Sequence, residues 1–579
     1  MLVADLFISH LRNIGLDRVF VYPGGTIAPL VNACLEANVK VEVFKSEQGA
    51  VYAALAVARV SGHPQVAMVT SGPGVTNAIT PLADAFYDST PLLLVTGQIG
   101  TSDLLGPRIG VRQRGFQETP TVELVRPISK KAVCYRTPQD CAELTSDLIN
   151  LTITGRHGPV VIDFPMDVQR QEVSLPNDGF ELLPPPEPCS SKIDEVSDPS
   201  TLKEIAEFCS KSRRTVLLLG QGAIKGGDLD VFSLLAEKLD AAVVTSFMGV
   251  GAFSCSSPRS LGYVGHTGHL AANRAVFESD LVFVLGSRLD VRQTGTLTNQ
   301  FAPNASVAWI DIDSMELSNP RVKVRWSIQA DAASFARRLL LHLDQPIGEK
   351  DPHWASDLRL LANKRVEDRP NPDSDAIAPR EVMDALAGAL SKDKGQVIRV
   401  VTGVGCHQHW AARHLPYEPQ RVTLLTSGGH GAMGYDLPSA VGAAMAEPFG
   451  KVICVVGDGS ALMNIQELGA IRDRNLDIKI LVMNNNRLGI VSQFQLITWG
   501  TDPTTGFFST PDFCAIAEAF GIPARKMSSK QEVHDLIDWL WSQEGPALVE
   551  AHIDPLADVT PMLLAGKAMN EMWMGRQDA

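Results

Sequence analysis

Val452-Ile453-Cys454-Val455-Val456-Gly457-Asp458-Gly459-Ser460 is the stretch on which the reading of this chain turns. A continuous apolar run that stops at a Gly-Asp-Gly turn reads as a strand buried on both faces, of the kind found in parallel sheets, passing into a helix from Ala461. A second apolar run, Ile478-Lys479-Ile480-Leu481-Val482-Met483, follows and stops at Asn484-Asn485-Asn486. Gly457 and Gly459 allow the backbone to approach an anion closely, and the helix start beside Ser460 offers unpaired N–H groups to it. Asp458 and Asn485, at the carboxyl ends of adjacent strands, are hard oxygen ligands suited to a magnesium ion bridging a diphosphate. The plainer alternative is a strand-end turn and an asparagine-rich loop with no ligand, since short motifs also arise by chance.

Outward from this stretch the same alternation of β-branched runs and helical patterns occurs three times, and 579 residues are too many for one hydrophobic core. The fold class expected is α/β, with three doubly wound parallel-sheet domains. The first domain spans 1–172 and includes Val19-Phe20-Val21-Tyr22 and Leu92-Leu93-Leu94-Val95-Thr96. A linker, 173–194, contains Pro184-Pro185-Pro186-Glu187-Pro188, a stiff extended composition. The central domain spans 195–345, a polar linker 346–378, the last domain 379–556, and a tail 557–579.

A net charge of −14 without any basic run excludes the electrostatic footprint of a nucleic-acid binder. Nine scattered cysteines, none spaced C-x-x-C, argue against a disulfide framework and a zinc site. The N-terminus lacks a signal-peptide pattern and no apolar run is long enough to span a bilayer, so a cytoplasmic protein without membrane partners is expected.

The Gly457-Asp458-Gly459 and Asn485 motif resembles that of thiamine diphosphate-dependent enzymes, and over nearly the whole chain the resemblance is closest to acetolactate synthase. Matching stretches include Tyr22-Pro23-Gly24-Gly25, Phe116-Gln117-Glu118-Thr119-Pro120, Met463-Asn464-Ile465-Gln466-Glu467-Leu468 and Leu488-Gly489-Ile490-Val491. The resemblance implies magnesium held by Asp458, Asn485 and the Arg487 carbonyl, and a diphosphate held by Gly457, Gly459, Ser460, Leu488, Gly489 and Ile490. The turn Gly403-Val404-Gly405-Cys406-His407 joins them. In Ser427-Gly428-Gly429-His430-Gly431-Ala432-Met433-Gly434 it implies that the Gly431 carbonyl faces the aminopyrimidine and that Met433 wedges between the cofactor's rings. Glu47, in Lys45-Ser46-Glu47-Gln48-Gly49-Ala50, corresponds to the glutamate that hydrogen-bonds the pyrimidine and promotes deprotonation of the thiazolium carbon. Gly24, Gly25, Pro73 and Asn77 accompany it. The three domains are then pyrimidine-binding, central and diphosphate-binding.

Gly429-His430-Gly431-Ala432-Met433-Gly434 also satisfies G-x-G-x-x-G, which keeps a nicotinamide-dependent oxidoreductase as an alternative from another class. A buried core methionine is the plain alternative for Met433, as dipole pairing is for Glu47.

The implied reaction is decarboxylation of a 2-oxo acid, pyruvate first among candidates, with transfer of the acyl carbanion to a second carbonyl compound. Arg288 is implied to hold the second substrate's carboxylate, which an arginine fork suits, and Gln117 to line the pocket with Phe116 and Phe494. Gly220, Gly222, Arg288, Arg292, Asp311 and Ile312 match positions that bind FAD in acetolactate synthases. A homodimer or dimer of dimers is implied, with Glu47 of one chain facing Asp458 and Asn485 of another.

There are departures. Phe494 stands where the family has a pocket tryptophan, Ser46 where it has histidine, Cys406 where it has glutamine, and Thr267 where its FAD site has histidine. The approach to Phe116, from Leu104 to Arg114, is longer, and the loop around Pro176 shorter. Together with Pro503-Thr504-Thr505-Gly506-Phe507-Phe508 these keep open relatives that transfer the acyl unit to a keto sugar nucleotide or an aromatic 2-oxo acid.

Overall fold

The computed structural model describes residues 1–104, 110–173, 199–343, 350–370, 374–502 and 509–575. The proline-rich part of the first linker, the centre of the approach to Phe116, Pro176 and the Pro503–Phe508 segment lie outside the described residues.

Three parallel six-stranded sheets form, one for each repeat of the apolar pattern. The first contains β1 (Arg18–Val21), β2 (Lys40–Val43), β3 (Gln65–Val69), β4 (Leu92–Gln98), β5 (Lys131–Cys134) and β6 (Pro159–Pro165), in the order β2-β1-β3-β4-β6-β5. The central sheet contains β7 (Thr215–Leu219), β8 (Ala242–Thr245), β9 (Ser260–Tyr263), β10 (Leu281–Leu285), β11 (Ser306–Asp311) and β12 (Trp326–Gln329), in the order β12-β11-β10-β7-β8-β9. The last contains β13 (Ile398–Thr402), β14 (Val422–Thr426), β15 (Lys451–Gly457), β16 (Ile478–Asn484), β17 (Ala524–Met527) and β18 (Ala547–His552), in the order β14-β13-β15-β16-β18-β17. Inner strands such as β4, β7, β10 and β16 are buried at every residue, as strands covered by helices on both faces must be.

The orders matter for function. The first and last sheets share one topology, and the central sheet has the order of a dinucleotide-binding fold. In each, the strand order reverses at one crevice: between β1 and β3, between β7 and β10, and between β13 and β15. Open α/β sheets bind ligands at the carboxyl ends of strands beside such a crevice. Gly24 and Ser71 follow β1 and β3, Gly220 and Gly286 follow β7 and β10, and Gly403 and Asp458 follow β13 and β15.

The first and last domains pack through two helices, Glu47–Ser61 and Asp436–Ala446. Gly442 allows it, because a Cβ there would run into the backbone of Ala53. The stretch 346–378, expected as a linker, instead carries a helix, Pro352–Asn363, N-capped by Asp351 and buried through Trp354 and Leu358 in the central core. Its apolar positions are only four residues apart within polar sequence, which hid the pattern. Leu563, Met569 and Met572 of the tail are buried in that same core.

Candidate active site

At the end of β15 the Asp458 side chain is almost wholly buried. Its Oδ1 accepts the Gly459 N–H at 2.8 Å, while Oδ2 has no hydrogen-bond partner among the described residues. Burial pushes the carboxyl up to about 6, against the pull of the Gly459 backbone amide. A buried carboxylate oxygen without a donor is costly unless a cation meets it, so the site fits a hard divalent ion. Asn485, also buried, is at the end of the neighbouring strand β16, and Gly489 gives it room: a Cβ there would stand 2.6 Å from Asn485 Nδ2 and 3.0 Å from Cys406 Sγ. Arg487 is fixed at 2.5 Å on both the Pro555 carbonyl and Asp502. Leu488 and Ile490 flank Gly489 where the Gly489–Trp499 helix begins.

The turn after β13, through Val404 and Gly405, brings His407 beside Gly457 and Cys406 beside Gly489. Asp436, which the sequence reading passed over, organises this corner. It accepts from the Gly403 N–H, from His407 Nε2 at 3.3 Å and from the Ser460 hydroxyl. Ser460 also accepts the Gly434 N–H at 2.9 Å. Its hydroxyl is therefore committed to the protein, leaving its backbone amide as the group available to a diphosphate.

On the first domain, Glu47 opens its helix with Ser46 as N-cap, the Ser46 hydroxyl accepting the Gly49 N–H at 2.9 Å. Asn77 Nδ2 donates to Glu47 Oε2 at 3.0 Å from the neighbouring helix, which starts with Pro73. Gly24 and Gly25 follow β1 in the same crevice. Gln117 joins this group, accepting from Ser71 Oγ at 3.4 Å. Its φ of 65° is left-handed, strain in a non-glycine residue of the sort that gathers at functional sites. The adjacent Phe116 is 85% exposed.

A cavity of about 780 Å³ opens at the reversal point of the central sheet. Gly222, Arg288, Arg292, Asp311 and Ile312 line it, and it extends to Tyr87–Ser89 of the first domain and Ser427–Gly429 of the last. Gly220 and Gly222 serve packing first: a Cβ on Gly222 would stand 2.8 Å from the Gly286 Cα. Burial raises the Asp311 carboxyl above its usual range. Arg288 pairs with Asp290 at 3.5 Å and lies on this cavity, in a different group from Glu47 and Gln117.

Three family models match the chain: the N-terminal TPP binding domain of thiamine pyrophosphate enzymes over residues 1–124, their central domain over 202–339, and their C-terminal TPP binding domain over 403–551. The acetolactate synthase isozyme 2 large subunit of Escherichia coli (strain K12) is 34% identical over 575 residues, covering 98% of both chains. The acetolactate synthase large subunit of Lactococcus lactis subsp. lactis (strain IL1403) is 35% identical over 574 residues, 98% of this chain and 95% of that one. The chloroplastic acetolactate synthase of Arabidopsis thaliana is 33% identical over 584 residues, 98% and 84% respectively. The chain belongs to the acetolactate synthase family of thiamine pyrophosphate enzymes.

Set beside that family, the nicotinamide alternative loses its footing. A dinucleotide fingerprint opens a helix within its glycines, whereas here the next helix starts only at Asp436, beyond Gly434. Phe494, read as the replacement for the acetolactate synthase pocket tryptophan, is 54% exposed and meets Trp499 edge-on at 5.6 Å. Trp499 was overlooked because it follows Phe494 by five positions at the end of the same helix, a spacing that does not suggest contact on a regular helix. No helix among the described residues is long and apolar enough to cross a membrane.

Proposed function

We propose that this chain catalyses the thiamine diphosphate- and magnesium-dependent decarboxylation of pyruvate and joins the acyl unit to a second 2-oxo acid, as the names of its acetolactate synthase relatives suggest. The observation that carries the reading is the buried Asp458, with one oxygen lacking a hydrogen-bond partner among the described residues, at the reversal point of the last sheet. Bound there, the cofactor would supply the electron sink for decarboxylation. Asp458, Asn485 and the Arg487 carbonyl would hold the metal, and Glu47, held by Asn77, would exchange a proton with the pyrimidine. Gly431 and Met433 would orient the rings. Gln117, Phe116 and Phe494 would shape the pocket, with Arg288 holding the acceptor's carboxylate.

Substrate choice is tested by supplying pyruvate with equal amounts of 2-oxobutyrate, an aromatic 2-oxo acid and a keto sugar nucleotide, and resolving products by mass spectrometry. Pocket contacts are worth roughly 1 to 3 kcal/mol per methylene. With phenyl in place of indole at Phe494, the expected result is carboligation between 2-oxo acids with weak discrimination between pyruvate and 2-oxobutyrate as acceptors. A dominant 2-aceto-2-hydroxybutyrate product would mean that Trp499 or another group restores the family's pocket. Transfer mainly to the sugar nucleotide would overturn the acetolactate synthase reading.

FAD is the proposed occupant of the central cavity, supported by the sheet order and by Arg288 and Arg292 on its wall. Titration with the flavin should quench its fluorescence at one equivalent per chain. Arg292→Ala should weaken binding about tenfold, the loss of one charge-assisted bond to phosphate. Unchanged affinity in that variant would remove Arg292 from the site. Support for a homodimer or dimer of dimers lies in the exposed Phe116 and Phe494, which a second chain would cover. Free, scattered cysteines suit a cytoplasmic location.

A further inference from the structure

Between β14 and the helix beginning at Asp436, the segment 427–434 contains two glycines in left-handed conformation, Gly431 (φ 77°) and Gly434 (φ 79°). Such a backbone has many alternatives open to it, so something must select one. The selecting groups are the segment's own Ser427 and three side chains of the first domain. Ser427 Oγ donates to Asp84 Oδ1 at 2.5 Å and accepts the N–H groups of Gly431 at 3.1 Å and Ala432 at 2.9 Å. A hydroxyl has one proton and two lone pairs, so giving the proton to Asp84 leaves both lone pairs for the loop's amides.

Asp88, one helical turn after Asp84, takes the other end. Its Oδ2 accepts the Gly428 N–H at 3.0 Å and its Oδ1 the Gly429 N–H at 2.6 Å. Arg59 closes the frame, donating to Asp88 Oδ2 at 2.8 Å, to the Thr426 carbonyl before the segment, and to the Tyr435 hydroxyl after it at 3.1 Å. Asp84 and Asp88 are buried, so these bonds are shielded from competing water.

We propose that Asp84, Asp88, Arg59 and Ser427 are positioning residues for the reaction, fixing segment 427–434 so that the Gly431 carbonyl and Met433 meet the cofactor's rings in a single arrangement. The proposal rests on the thiamine diphosphate reading given above. Asp88 of the first domain takes two of the segment's amides directly, at Gly428 and Gly429, and Asp84 takes the Ser427 proton, which turns that hydroxyl's lone pairs onto the amides of Gly431 and Ala432; a contact serving only domain cohesion has no need to set that orientation.

The test uses the full-length holoenzyme with saturating magnesium and measures two quantities: thiamine diphosphate affinity, and the rate of hydrogen–deuterium exchange at the reactive carbon of bound cofactor. Ser427→Ala should keep affinity within about threefold and slow exchange at least tenfold, while Ser427→Thr, which retains the hydroxyl, should restore the rate. Asp88→Asn, which turns one acceptor into a donor facing an amide, should act like Ser427→Ala. Glu47→Gln is run in parallel. Wild-type exchange in Ser427→Ala and Asp88→Asn beside slow exchange in Glu47→Gln would overturn the positioning role alone. Wild-type exchange in all three would overturn the proposal and remove Glu47 from its proton role as well, whereas failure of the wild-type chain to bind thiamine diphosphate would overturn the thiamine reading itself. Loss of affinity in step with exchange would assign these residues to folding and also overturn it.

Discussion

Asp458→Ala is expected to lower magnesium-dependent thiamine diphosphate affinity at least a hundredfold. The wild-type side chain keeps one oxygen on the Gly459 amide and leaves the other, in a buried corner, without a hydrogen-bond partner among the described residues. Removing it deletes the only carboxylate proposed as a ligand, so the diphosphate would face the protein without its full counter-charge. Unpaired buried charge costs several kcal/mol, and about 2.7 kcal/mol already corresponds to a hundredfold. Calorimetric titration with and without magnesium measures it. Wild-type affinity in the variant, or affinity indifferent to magnesium in the wild type, would remove Asp458 from the metal site.

Glu47→Gln should do the opposite: affinity close to wild type, but exchange at the cofactor's reactive carbon slower by a factor of 100 or more. The amide keeps the size and the hydrogen-bonding reach of the carboxylate, so the contact with Asn77 Nδ2 can persist through the remaining oxygen. What it cannot do is accept and return a proton, and general acid–base groups typically contribute 10²–10⁴-fold. Equal exchange rates in the two proteins would show that Glu47 is a helix-start carboxylate and nothing more.

Both side chains were legible in the sequence because each is announced locally: Asp458 by glycines at the end of an apolar strand, Glu47 by its place at a helix start after an extended segment. The inner strands were equally plain, since burial on both faces leaves runs such as Leu92–Val95 without a polar break. Edge strands were not. β5 and β17, Lys131-Ala132-Val133-Cys134 and Ala524-Arg525-Lys526-Met527, are partly exposed and carry the polar residues of a solvated edge. Strand order was also out of reach, and with it the three reversal points that explain why the candidate residues cluster. Asp84 and Asp88 show the limit most clearly: in sequence they are ordinary acidic residues on and just after an apolar helix, and their partners lie about 340 positions away. Gly220-Gln221-Gly222 was ambiguous for a different reason, since the same spacing serves a ligand and the tight approach to Gly286.

The helix Glu47–Ser61 has 15 residues and so runs for about 22 Å, with Glu47 at its first position and Arg59 in its last turn. Arg59 braces the segment before Asp436, on the last domain, while Glu47, at the other end of the helix, is held by Asn77. The rod is buried along most of its length and seated tightly against the Asp436–Ala446 helix, leaving it little freedom to tilt at one end alone. One rigid rod thus ties the crevice beside β1 and β3 to the loop before Asp436, and ordering one of its ends is mechanically entangled with ordering the other.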